Sequence, residues 1–213
     1  MSHPDFFGVV PPILVRDPLA GFLGAASGGV IEYRYLDAVK VAGHSCPTVA
    51  AAWQLTRRAL AVLYGDEIPV RGEIRVELGE DRVEGTAGVT AAVAGLLTGA
   101  AGDGGFKGIG GHFDRRDLLA FGAELPGRIR FTRLDTGAAV DAQADLGRVP
   151  GDPKTMLLLQ RCLSGGASAE DARRFGELWQ DRVRRILLEH GDDEAVFAVR
   201  SVPPIGQGKP EPV

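Results

Sequence analysis

Gly43-His44-Ser45-Cys46-Pro47 runs without a break into Thr48-Val49-Ala50-Ala51-Ala52-Trp53 and on through apolar sequence to Tyr64. Proline suits the first position of a helix, where its missing N–H would have no partner anyway. The stretch therefore predicts a helix over Pro47 to Tyr64, with Cys46 at or beside its N-cap. A thiol there faces the positive end of the helix dipole, which favours thiolate. His44 lies two residues earlier, on the turn that feeds the helix. An imidazole and a thiol anchored by one helix start make half of a soft-metal site or half of a thiol-chemistry site.

Within the helix, Val49, Ala52, Trp53, Thr56, Leu60 and Leu63 recur at spacings of three and four, while alanines thin the opposite side. Such a helix packs on more than one face, which makes it the centre of the fold. Upstream, Met1 to Pro12 reads as an irregular arm and Asp17-Pro18 as a cap and first-turn proline for a short helix ending near Gly24. Val30 to Tyr35 alternates like a strand. Asp37 caps a short helical segment that ends at Gly43. Downstream, Gly72 to Gly79 alternates as a half-buried strand. Val89 to Leu97 reads as a buried helix, and Gly99 to Gly111 holds seven glycines in thirteen positions. Asp114 to Phe121 resumes helical patterning. Ile129 to Ala142 reads as a hairpin turning at Asp135-Thr136-Gly137. Asp152-Pro153 and Ser168-Ala169-Glu170-Asp171 open two helices, the second running to about His190. Phe197 and Val199 suggest a last strand.

This order predicts an α+β fold, a mixed or antiparallel sheet with helices on one face and a C-terminal helical hairpin. Its divisions are an arm and short helix over 1–30, a core over 31–150, the hairpin and final strand over 151–202, and a Pro- and Gly-rich tail over 203–213. In the second hairpin helix, Phe175, Trp179, Val183 and Ile186 form an apolar stripe that either caps the core or joins two copies into a homodimer.

Composition narrows the function. The 213 residues are 45% hydrophobic and 24% charged, with a formal charge of −4. No basic face interleaved with aromatics appears, so nucleic acid is not an expected partner. The two cysteines, Cys46 and Cys162, make no disulfide framework and suggest a reducing compartment. Neither a signal peptide nor a membrane span is read, and the expected location is cytoplasmic.

Tyr35 to Pro47 resembles the opening motif of the family of formylmethanofuran dehydrogenase E-subunits, in which a G-H-x-C-P element starts the main helix. Thr98-Gly99 and the glycines to Gly111 resemble that family's T-G step and glycine-lysine loop. Arg130 to Gly137 resembles its late hairpin. The resemblance covers about Glu32 to Val202. It implies an α+β core, a helical hairpin that contributes to dimerisation, and a role beside metal-dependent redox enzymes. It also implies further cysteines just before the buried helix and at the T-G step. Here those stretches read Thr86-Ala87-Gly88 and Gly99-Ala100-Ala101. The C-x-x-C of an archaeal zinc ribbon is also missing.

The expected metal is zinc or another divalent ion, held by His44 and Cys46 with His112 from the glycine loop the best third ligand. His3 and His190 are weaker candidates, and Cys162 reads as core. Two other readings stay open. Gly105, Lys107 and Gly108 could hold an anion or a cofactor tail on successive amides. Cys46 could act as a nucleophile activated by His44, with Asp37 or Asp114 the only guesses for an orienting residue.

Overall fold

The computed structural model describes residues 3–203, so all but the first residue of the tail expected over 203–213 lies outside the described residues. Its centre is the helix that follows the G-H-S-C-P turn. Six α-helices and seven strands are described. After a 3-10 turn at Asp5–Gly8, strand β1 (Ile13–Arg16) leads into helix α1 (Pro18–Phe22), and strand β2 (Val30–Tyr33) returns antiparallel to β1. Buried Ile13 and Val15 alternate with exposed Leu14 and Arg16, which makes β1 a strand directly after the N-terminal arm.

Helix α2 (Tyr35–Ala42) begins where the Asp37 carboxylate accepts the Arg34 N–H at 2.9 Å, and it ends at Gly43 in the left-handed region, φ 76°. Helix α3 (Pro47–Tyr64) follows with proline at its first turn. Twelve of its residues are buried, in keeping with packing on more than one face. Trp53 meets Tyr35 edge-on with centroids 5.9 Å apart, and Phe7 of the N-terminal turn meets Tyr35 at 5.1 Å. The arm is thereby tied into the core.

Strand β3 (Ile74–Leu78), helix α4 (Ala87–Thr98), strand β4 (Leu119–Ala120), and the hairpin β5 (Ile129–Arg133) and β6 (Ala139–Ala144) come next. Helices α5 (Lys154–Leu163) and α6 (Ala169–Arg184) pack as a hairpin, and α6 continues through a wide turn at Arg185–Glu189. Strand β7 (Phe197–Val202) completes a five-stranded sheet of order β4-β3-β5-β6-β7, parallel only between β3 and β4. Helices α3 and α4 cover one face, and Ile74, Val76, Leu78, Ile129, Phe131 and Val140 are buried beneath them. This is the expected α+β architecture.

One expectation changes. Asp114 to Phe121 is not helical: it forms turns and the two residues of β4. The Asp114 carboxylate accepts the Arg116 backbone N–H at 2.9 Å, a local bond that competes with helix formation, and Asp117 has φ 57°. The Arg115 backbone meanwhile bonds Phe106 and Ala101 instead of a helical neighbour. Of the apolar stripe, Val183 and Ile186 are fully buried and Trp179 is half-buried against the core, while Phe175 is half-buried outside it. No helix among the described residues is long and apolar enough to cross a membrane.

Candidate functional site

The G-H-S-C-P turn is held from both sides. The Ser45 carbonyl accepts from Trp179 Nε1 at 3.1 Å and Gln180 Nε2 at 3.0 Å, which docks α6 onto the start of α3. The Ser45 hydroxyl lies 3.1 Å from the Tyr35 hydroxyl. Burial pushes the Tyr35 phenol well above its ordinary range; the Ser45 bond opposes this, and the nearby Cys46 adds to it. His44 is exposed, and its Nδ1 lies 2.8 Å from the Ala42 carbonyl. A carbonyl only accepts, so Nδ1 is the donor in this bond. Cys46 is the N-cap of α3 but makes no capping bond, and it is only 8% exposed, packed into the core.

A zinc site takes at least three protein ligands. Among the described residues no three of His, Cys, Asp and Glu lie together in a way that could hold a metal. The first turns of α3 and the N-terminal half of α4 share a cavity of about 40 Å³ lined by Thr48, Ala51 and Thr90. His112 lies in the glycine loop, where it bridges Ile109 and its ring lies 6.0 Å from that of Phe113. His44 and Cys46 are therefore two donors without the expected third, and the donor set does not fit a metal centre within one chain. His3 stacks on Phe7, His190 lies 3.3 Å from Asp193 Oδ2, and Cys162 is half-buried in α5.

The loop at the far end of α4 builds something else. Asp17, the cap of α1, is buried, and its carboxylate bridges two arginines. Oδ1 accepts from Arg115 Nη2 at 2.7 Å, and Oδ2 accepts from Arg71 Nη1 at 2.7 Å. Oδ1 also accepts the Leu19 and Ala20 N–H groups at 3.0 and 3.2 Å. Arg71 Nε donates to the Leu96 carbonyl at the end of α4. The Arg115 side chain is 8% exposed, and its Nε has no partner among the described residues. Burial alone would raise the Asp17 carboxyl; the hydrogen bonds from Arg115 and then Arg71 outweigh it and hold the group below the usual carboxylate range. The cluster is two guanidiniums against one ionised carboxylate, a net positive charge.

The glycines make room for it. A Cβ at Gly99, where φ is 75°, would lie 2.3 Å from Arg115 Nη1, and one at Gly108, where φ is 82°, would lie 2.1 Å from the His112 carbonyl oxygen. Both positions require glycine for space as well as for backbone conformation. The Gly105 N–H donates to the Gly102 carbonyl at 3.0 Å, so this amide is spent inside the loop. Lys107 is exposed on the loop, away from the ion cluster's hydrogen bonds. Above the cluster lies an open cleft of about 390 Å³ lined by Asp17, Arg71, Arg115, Leu19, Leu23 and Phe106, among others.

Sequence reasoning assigns Asp17 a capping role and misses Arg71 and Arg115. The only local signal is the glycine density. No family model matches the chain, and no curated protein matches it in sequence.

Proposed function

We propose that the chain is a binding protein for small anions, with the cleft over Asp17, Arg71 and Arg115 as its site. The observation that carries this reading is the excess of positive charge in a cluster whose Asp17 and Arg115 are buried and whose Arg71 is half-buried. One carboxylate answers two arginines, and a buried charge without a partner is costly. An anion entering the cleft would complete the cluster, and guanidinium forks suit carboxylate and phosphate. Arg71 is the more exposed of the two side chains and the one better placed to turn toward a ligand.

This site sits on a core that we propose to be related to the formylmethanofuran dehydrogenase E-subunits. The support is the order of the shared elements: a G-H-S-C-P turn opening the longest helix, a T-G step closing α4, a glycine loop and a late hairpin. A family-type metal centre is not part of this proposal, because the cysteines it would need are Thr86, Ala87 and Gly88 at one step and Gly99, Ala100 and Ala101 at the other.

Thermal unfolding with inorganic phosphate, against chloride at matched ionic strength, tests the reading. A ligand at a hundred times its Kd stabilises by about 2.7 kcal/mol, or about 5–11 °C for a chain of this size. Phosphate should give a saturable rise that Arg71→Met abolishes. Equal effects of phosphate and chloride would overturn the proposal.

A further inference from the structure

The walls of the cleft differ from its floor. The last residue of α1, Phe22, is 66% exposed and the next, Leu23, 61%. Leu23 lines the cleft with Leu19, and Phe106 faces them from the glycine loop. Beside the cleft the Phe22 ring lies 5.4 Å from that of Phe113, which carries the apolar surface from α1 across to the loop. An inorganic anion needs only the arginines. It would leave these side chains in water, and at about 390 Å³ the cleft falls within the 300–1,000 Å³ usual for organic ligands.

We infer that the ligand is an amphiphilic small anion, a phosphate or carboxylate carrying an aryl or short acyl group. Its head meets Arg71 and Arg115 and its apolar part lies between Leu23 and Phe106. This rests on the anion-binding reading above and adds the ligand class. The charge selects the head, and the exposed walls select the substituent. Each methylene buried against such walls contributes roughly a fourfold gain in affinity.

The test is calorimetric titration of the full chain with inorganic phosphate, phenyl phosphate, acetate and hexanoate. Phenyl phosphate should bind at least about tenfold more tightly than phosphate, and hexanoate more tightly than acetate. Leu23→Ser and Phe106→Ser should remove that gain, so that phenyl phosphate binds each variant no more tightly than inorganic phosphate does; both side chains are exposed, so the fold survives either change. Phosphate binding with no gain from the phenyl group would overturn the ligand class while the anion site stands. A gain that persists in both serine variants would also overturn it. Binding of neither anion would remove both readings. Vesicles of anionic phospholipid form the last arm. Binding to vesicles but not to free phenyl phosphate or hexanoate would assign the surface to a membrane and overturn the inference.

Discussion

Asp17→Asn isolates the charge of the cluster while keeping most of its shape. Asparagine is as good an N-cap as aspartate, so the bonds from Leu19 and Ala20 to Oδ1 survive. The second oxygen becomes an NH2 group facing Arg71 Nη1, a donor against a donor, in place of a bond of 2.7 Å. The buried Arg115 guanidinium and the half-buried Arg71 guanidinium are then left without a counter-charge. Coulomb's law at an effective dielectric of about 20 gives roughly 4 kcal/mol for charges about 4 Å apart. Breaking a buried pair by removing one partner costs about 3–5 kcal/mol. The variant should therefore melt about 6–20 °C lower, at 2–4 °C per kcal/mol for a chain of this size. It should also respond more strongly to phosphate than the parent, because its cleft carries one more unanswered positive charge. The pH dependence has a definite sign. The Asp17 carboxyl is held below its ordinary value, so its contribution is complete above the unfolded carboxyl pKa, about 3.9. It is lost as pH falls through the lower folded value. The parent should lose stability below about pH 4 more steeply than the variant. Thermal melts across pH, with and without phosphate, measure all three effects. A drop of under about 1 kcal/mol, or the same phosphate response in both proteins, would refute the reasoning.

Gly99→Ala should destabilise the fold by more than the ~1 kcal/mol of an ordinary glycine substitution, because the added carbon meets Arg115 Nη1 at 2.3 Å; chemical denaturation reads the cost. Trp179→Phe removes the Nε1 bond to the Ser45 carbonyl at 3.1 Å and should cost about 1 kcal/mol while leaving phosphate binding intact. Cys46, buried at the start of α3, should alkylate slowly and at the same rate with and without chelator; a chelator-induced increase would show a metal on the thiol.

What is legible along the chain depends on the range of the forces involved. Helix α3 is legible to the residue because its determinants are local: Pro47 at the first turn, Gly65 at the end, and a periodic apolar face between them. The Ser168-Asp171 capping box and the Asp135-Thr136-Gly137 turn are legible for the same reason. Strand β1 has only two inward positions, Ile13 and Val15, too few to stand out behind Pro11-Pro12. The span from Asp114 to Phe121 carries a helical pattern that the long-range demands on Arg115 override. The cleft is hidden most deeply. Asp17 declares itself as a helix cap, but its arginines stand 54 and 98 residues away, and nothing in their neighbours announces the pairing. The glycines point to the right region for another reason: their density suggests free amides for an anion, whereas they act as clearance for a buried guanidinium.

The most direct test of the anion site reads the arginines themselves. In a titration with inorganic phosphate, the arginine Nε–Hε resonances can be followed by NMR and assigned with Arg71→Lys and Arg115→Lys. The cluster predicts saturable shifts, one phosphate per chain, for Arg71 and Arg115, while the paired arginines of the distant sheet face, such as Arg130 with Asp141 at 2.7 Å, stay fixed. A small, unsaturating drift shared by all the arginines would contradict it.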